Sequence, residues 1–130
     1  VQLEAGSSAT EFEHRQYGTE LSLCQRYYQI LDGSASSYAF YGTGCYQSTT
    51  NCRGLLSITT SFRTFPTVTF TGSFRVLSSA ALSVSTLTAI NNTINAIAFS
   101  ATTTATTKGY AGYFSANGDT TAKIEMSAEL

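Results

Sequence analysis

The C-terminal end of the chain carries the pattern that most limits its fold, because apolar and polar residues alternate there one by one. From residue 122 to residue 130, alanine, isoleucine, methionine and leucine occupy every second position, with lysine, glutamate and serine between them. This alternation predicts a β-strand with one face in the core. Asn117 and Gly118, just before it, form the strongest hairpin signal in the chain. The sequence therefore indicates antiparallel strands.

Further strands are predicted because alternating runs recur between turn signals about every 8 to 12 residues. Residues 38–47 carry aromatic rings around two glycines, which fits either two strands joined by a glycine bend or one strand with a bulge. The other predicted strands are residues 1–4, 55–62, 67–71, 74–77, 82–87, 94–101 and 109–114. The pattern predicts a mainly β fold, an antiparallel β-sandwich of the jelly-roll kind with roughly seven to nine strands.

Residues 17–29 are the one segment with a convincing helical period. With Thr19 as N-cap, Leu21, Cys24 and Tyr28 fall at positions i, i+3 and i+7 and share one apolar face. We therefore predict one short N-terminal α-helix of about three turns that packs on the sheet through this face. Cys24 is interpreted as a small buried hydrophobic residue.

Composition argues against several classes of partner. The chain has 130 residues, the size of one domain, and a formal net charge of -1 without a basic cluster, so we expect no nucleic-acid binding. Membrane insertion is not expected either, because no apolar run approaches the roughly 18 residues that a spanning helix needs. Since only 12% of the residues are charged, the exterior must be polar mainly through serine, threonine, asparagine and glutamine.

Catalytic and metal-binding patterns are absent from the sequence. His14 is the only histidine and no C-x-x-C pair occurs, so no metal and no cofactor are expected. We interpret the chain as a non-enzyme, and a polysaccharide hydrolase using Asp32 or Asp119 is the least favoured alternative. Cys45 and Cys52 bracket a polar loop that a local disulfide could close, a pairing that the sequence leaves open.

Aromatic residues provide the best candidates for ligand binding. The chain has eight tyrosines, eight phenylalanines and no tryptophan. Rings near glycines are expected at strand ends and loop tips, where a Tyr/Ser/Thr/Asn surface adapts to sugars and protein partners. The alternative, which is favoured for any single tyrosine, is that most of these rings fill the core or a subunit interface. The candidate ligand-binding residues are Tyr38, Tyr41, Tyr46, Tyr110 and Tyr113.

Three motifs near the N-terminus suggest a family. FEHR at residues 12–15, YGTEL at residues 17–21 and LCQRYY at residues 23–28 resemble a signature of the C-terminal domains of bacteriophage tail-fibre and related virion proteins. VQLEAGS at residues 1–7 resembles the strand that precedes that signature, and RTFPTV at residues 63–68 is a weaker echo of a later segment. The clear match covers roughly the first quarter of the chain.

The resemblance implies a setting and a role. A domain of this kind would be the C-terminal part of a longer fibre or virion protein, located in the virion after assembly in the host cytoplasm. It would form a homo-oligomer, a trimer by analogy, contact other virion proteins upstream, and attach to host-surface glycan. The alternative is a trimerisation or capsid/tail decoration knob without its own receptor. The expected organisation of residues 1–130 is a lead-in strand and linker (1–16), the helix (17–29) and the sandwich (38–130).

Overall fold

The computed structural model of the chain describes residues 16–129. Within them one α-helix is followed by nine β-strands. The predicted lead-in strand and the linker up to residue 15 lie outside the described residues. The elements are α1 Tyr17–Gln25, β1 Tyr28–Asp32, β2 Phe40–Tyr46, β3 Asn51–Leu56, β4 Thr67–Thr71, β5 Phe74–Leu77, β6 Ala81–Ile90, β7 Ile97–Thr103, β8 Ala111–Ala116 and β9 Lys123–Ser127.

The strands form two antiparallel sheets. Six strands close into a barrel in the order β2-β3-β7-β6-β5-β8, and three form a separate sheet in the order β1-β9-β4. The prediction of a mainly β, antiparallel fold is confirmed. The expected sandwich is corrected to a barrel, because β8 pairs with both β2 and β5 and so joins the two ends of the larger sheet. Closure leaves the larger sheet without the exposed edges that so few charged side chains could protect.

Aromatic rings fill the interior of the barrel. Strand β7 alternates as its sequence predicts, and Ile97, Phe99 and Ala101 are buried on its inner side. Phe99 stacks on Phe114 with ring centroids 4.5 Å apart, and Phe114 stacks on Phe74 at 5.3 Å. Because stacked aromatic pairs add to the large apolar area that their rings remove from water, this column is a major source of stability.

The three-stranded sheet covers part of the barrel and shares its core. Ile124 and Met126 of β9 are fully buried beneath it. Phe70 of β4 meets Phe74 of the barrel edge to face, with centroids 6.2 Å apart. These contacts link the two sheets into one packed unit, so neither sheet can be displaced without exposing apolar surface.

The N-terminal helix differs from its prediction in length and in packing. It ends at Gln25, and its N-cap is Gln16 rather than Thr19. Residues 28–32 are strand β1 because they pair along their whole length with β9. The helix has no buried residue, so the predicted apolar face does not pack on the sheet, and Cys24 is exposed rather than buried.

The three cysteines are free thiols. Cys45 lies opposite Arg53 in the β2–β3 ladder, and Cys52 lies opposite the adjacent Tyr46. Because neighbouring positions on a strand point to opposite sides of a sheet, Cys45 faces outward while Cys52 is buried inside the barrel. The disulfide that the sequence left open is therefore not formed.

Candidate functional site

The five predicted tyrosines divide into two groups. Tyr38, Tyr110 and Tyr113 are exposed, whereas Tyr41 and Tyr46 are each only 1% exposed. The structure therefore gives three of the five rings a surface that a ligand could reach. Tyr41 and Tyr46 lie in the core instead, as the alternative interpretation of the aromatic residues predicts.

Tyr41 and Tyr46 tie the barrel wall to other parts of the chain. The hydroxyl of Tyr41 donates a hydrogen bond of 2.7 Å to the backbone carbonyl of Ala122. The hydroxyls of Tyr46 and Thr103 share a hydrogen bond of 3.0 Å. Burial raises the pKa of Tyr41, and the nearby carboxylates of Asp32 and Asp119 raise it further. Both tyrosines thus have structural partners inside the protein.

A β-bulge in β2 decides which aromatic rings reach the surface. Phe40 pairs with Ser115 and Gly42 with Phe114, so Tyr41 is an extra residue between two successive pairs. The bulge turns Tyr41 into the core and leaves Phe40 on the outer surface, 53% exposed. This agrees with the second of the two readings of residues 38–47, one strand with a bulge.

Phe40 belongs to a patch of exposed apolar side chains on the outside of the barrel, which we call the aromatic face. In the register of four neighbouring strands, Tyr113 of β8 lies between Thr43 of β2 and Leu77 of β5, and Thr43 lies opposite Leu55 of β3. All four side chains point outward. The aromatic face consists of Tyr38, Phe40, Leu55, Leu77 and Tyr113, which are between 37% and 59% exposed.

Aromatic and cationic contacts hold the rings of the aromatic face in place. Phe40 meets Tyr113 edge to face, with ring centroids 6.0 Å apart. The guanidinium carbon of Arg75 lies 4.2 Å from the centroid of the Tyr38 ring, within cation–π range. Arg75 Nε also donates to Ser115 Oγ at 3.1 Å, which anchors the arginine to the barrel wall. The rings are therefore oriented before any ligand arrives.

Tyr110 is not joined to this patch by any contact that the structure describes. It precedes β8, where its carbonyl accepts a hydrogen bond of 2.9 Å from the amide of Tyr46. Its ring is 45% exposed. Of the five predicted tyrosines, the structure thus brings only Tyr38 and Tyr113 into one patch. Tyr38 contacts Arg75, and Arg75 bonds to Ser115. Ser115 lies opposite Phe40, which contacts Tyr113.

Sequence reasoning missed Phe40, Leu55, Leu77 and Arg75. One signal could have found Phe40, because two successive aromatic residues in a strand cannot both point into the core unless a bulge lies between them. Leu55 and Leu77 are brought beside Tyr113 by cross-strand register alone. A single sequence does not reveal that register, since it depends on how distant strands pair.

A small network of charged groups lies on the three-stranded sheet. Lys123 Nζ is 3.2 Å from Glu125 Oε2, and Tyr28 donates a hydrogen bond of 2.8 Å to Glu125 Oε1, which lowers the pKa of that carboxyl. Asp32 lies opposite Lys123 in the same sheet. In the register of the barrel strands, Arg75 is the charged neighbour of Phe40 and Tyr113. Arg53 lies two residues from Leu55 on the same side of β3, so the aromatic face offers apolar rings beside cationic side chains.

No group of three or more metal-binding side chains is assembled among residues 16–129. The helix in that part of the chain is too short and too polar to cross a membrane. Comparisons of the chain with protein-family models, with curated proteins and with solved structures found no match.

Proposed function

We propose that this chain is a non-enzymatic attachment domain of a phage virion protein, which binds host-surface glycan through the aromatic face. The observation that carries the proposal is the exposed pair of Phe40 and Tyr113, held edge to face beside Tyr38 and Arg75. Exposed apolar patches on soluble proteins mark sites of interaction. The part of the proposal that places the domain in a virion protein rests on the resemblance of the motifs at residues 12–28.

A sugar is a suitable ligand because each pyranose ring has an apolar C–H face and a polar hydroxyl edge. Rings such as those of Phe40 and Tyr113 provide rigid apolar area at a small loss of conformational entropy. The tyrosine hydroxyls and the Arg75 guanidinium can bond to the hydroxyl edge. Such contacts need neither a metal nor a cofactor.

The state of the carboxylates supports binding rather than hydrolysis. A glycosidase acid needs a raised pKa, so that it carries a proton near neutral pH. The Ser34 hydroxyl lowers the pKa of Asp32, and the Thr121 hydroxyl, followed by the amides of Ser73 and Thr121, lowers that of Asp119. Both shifts run opposite to the shift that a general acid requires.

Alanine substitutions on the aromatic face test this proposal. The labelled chain is applied to a bacterial glycan array and to whole cells of candidate hosts, and Phe40→Ala and Tyr113→Ala are compared with Tyr17→Ala. Tyr17 is an apt control because it is 80% exposed and belongs to α1, away from the face. We expect each face variant to weaken binding about tenfold, the usual effect of losing an aromatic anchor, and Tyr17→Ala to leave binding unchanged. Equal binding by all variants, or no binding to any glycan or cell, contradicts the proposal.

A second candidate function is structural, and the exposed surface of α1 favours it. Leu21 and Leu23 are 41% and 37% exposed on a helix that has no buried residue. An assembly knob, trimeric by analogy with fibre proteins, would cover these leucines with a neighbouring copy. Light scattering separates the candidates, because Leu21→Glu and Leu23→Glu would dissociate the oligomer of a knob. A receptor-binding domain that assembles elsewhere would keep its mass and lose adsorption only through changes on the aromatic face.

A further inference from the structure

A cleft of about 360 Å³ lies where the open edge of the three-stranded sheet meets the barrel, between β4, β5 and β6. Its floor is apolar and includes Phe70 and Phe74. Its rim carries the side chains of Ser73, Ser83, Ser85 and Asn117, and we call it the serine cleft. Its volume falls within the range of small-molecule sites, and both apolar and polar side chains line it.

The rim has hydrogen-bonding capacity to spare. Asn117 Nδ2 donates to Ser83 Oγ at 3.1 Å. This bond leaves Asn117 Oδ1 free to accept and the Ser83 hydroxyl proton free to donate, and neither makes a bond to another protein group in residues 16–129. A ligand with vicinal hydroxyl groups can satisfy both, one hydroxyl donating to Asn117 while its neighbour accepts from Ser83.

The wall of the serine cleft is fixed without a ligand. The Asp119 carboxylate accepts hydrogen bonds of 2.8 Å from the amides of both Ser73 and Thr121. The amide of Asn117 donates to the carbonyl of Ser73 at 3.0 Å. Gly72 has φ +94°, and a Cβ there would lie 2.6 Å from Ala122 Cα, so glycine is required for this close approach. A preorganised wall lowers the entropy that a ligand must lose on binding.

The cleft borders the aromatic face. In register, Phe40 lies opposite Ser115, Ser115 opposite Arg75, and Arg75 opposite Ser83 on the cleft rim. This row crosses four strands, which spans about 14 Å at the usual strand spacing. The Tyr38 hydroxyl also approaches the turn after Asn117, 3.6 Å from the position of a Cβ on Gly118. One elongated ligand can therefore touch both surfaces.

We propose that the serine cleft binds one neutral pyranose residue, and that the aromatic face holds the rest of the same saccharide chain. A neutral sugar fits the nine residues that line the cleft, because none of them is charged. The Asp119 carboxylate behind the wall already accepts hydrogen bonds from the amides of Ser73 and Thr121. The C–H face of the sugar packs on the half-buried ring of Phe70, which Phe74 supports from the core, and its hydroxyls bond Ser83 and Asn117. The choice of a saccharide rests on the proposed attachment function, and the cleft then becomes the part of the site that selects the sugar.

The test is a titration of the ¹⁵N-labelled chain with glucose, galactose and N-acetylglucosamine, followed by two-dimensional NMR. With at least one of the three we expect saturable shifts at the amides of residues 72–74, 83–85 and 117, with a Kd of roughly 1 to 10 mM for so small a ligand. Sorbitol, an acyclic polyol without a ring face, is the control ligand and should cause no saturable shift. Absence of saturation with all three sugars, or equal shifts with sorbitol, overturns the proposal.

Two cleft variants and two controls locate the binding. Asn117→Ala and Ser83→Ala each remove one partner and should raise the Kd about three- to tenfold. Thr69→Ala, an exposed change on the outer side of β4, should leave the Kd unchanged. Phe40→Ala should also leave the monosaccharide Kd within twofold, because a sugar of one ring occupies the cleft and does not extend to Phe40. A Kd that is unaffected in both cleft variants, with their spectra showing the native fold, contradicts the assignment.

The outcomes separate the two proposals. If a sugar saturates the cleft but the chain binds no glycan array and no host cell, the attachment function fails and the cleft assignment stands. If the chain binds glycans through Phe40 and Tyr113 while the cleft amides do not respond, the cleft assignment fails and the attachment function stands.

Discussion

Phe40 and Tyr41 are adjacent in the chain, yet the ring of Tyr41 packs in the core and the ring of Phe40 faces solvent. The extra residue in β2 makes Tyr41 and Gly42 both point inward, and Phe40 and Thr43 both point outward. The bulge thus serves the core and the surface together, because Tyr41 reaches Ala122 only from inside while Phe40 meets Tyr113 only from outside. A surface of this kind depends on the backbone as much as on the type of side chain.

The free thiols at Cys24, Cys45 and Cys52 differ in the chemistry open to them. Cys24 and Cys45 are exposed, whereas Cys52 is buried and its burial raises the pKa of the thiol to about 11. Since the thiolate is the reactive form, Cys52 should be inert in the folded protein. We expect an aromatic disulfide reagent at pH 8 to titrate two thiols rapidly and the third only after denaturation.

Single serine variants assign these reactions. Cys45→Ser should leave one fast thiol, and Cys52→Ser should leave both fast thiols unchanged. The denatured wild-type chain is the reference and should release three equivalents. A count of one thiol in the denatured, unreduced protein would mean that two of the three cysteines are bonded to each other, contrary to the structure.

At the scale of elements, α1 stands apart from the strands because it contributes no buried side chain. The sequence predicts its helical period, but the predicted apolar face includes Tyr28, which belongs to β1. Residues 28 and 29, the predicted end of the helix, instead begin strand β1 because they pair with β9. Gln29 is buried there, and its side-chain oxygen accepts hydrogen bonds from the amide and the hydroxyl of Thr59, at 3.1 and 3.0 Å.

The exposure of α1 predicts a contrast between two apolar substitutions. Leu21→Ala should change the free energy of unfolding by less than about 0.5 kcal/mol, because the side chain is exposed and the helix has no buried residue. Ile124→Ala in β9 removes a fully buried side chain and should cost about 2 to 5 kcal/mol. Urea denaturation followed by circular dichroism measures both. A large loss in Leu21→Ala at low protein concentration would show that α1 packs on the protein after all.

Several strands were predictable because their pattern is local. The predicted runs at residues 67–71 and 74–77 have the bounds of β4 and β5, and the alternation at the C-terminus placed Ile124 and Met126 inside. Exposed aromatic residues were harder to identify. Tyr41 and Tyr113 both lie near glycines, and only the bulge and the strand register decide that one is buried and the other exposed.

At the scale of the whole molecule, closure of the barrel is the feature that the sequence could not supply. It depends on β8 pairing with β2 on one side and with β5 on the other. These pairs join residues tens of positions apart, and alternation within each strand is the same whether a sheet closes or packs on another sheet. The predicted sandwich and the observed barrel thus share their strands and differ in non-local pairing.

Shared packing between the barrel and the three-stranded sheet predicts a single cooperative unfolding transition. The Phe70–Phe74 contact joins the two sheets, and the bond from Tyr41 of the barrel reaches Ala122, the residue just before β9. Unfolding in urea monitored by far-ultraviolet circular dichroism and by tyrosine fluorescence should give coincident curves. Tyr41→Phe removes one buried hydrogen bond and should lower stability by about 1 kcal/mol with an unchanged m-value. Tyr113→Phe, the control, removes an exposed hydroxyl and should leave the stability unchanged. For the wild-type chain, two separate unfolding transitions would mean that the sheets unfold independently.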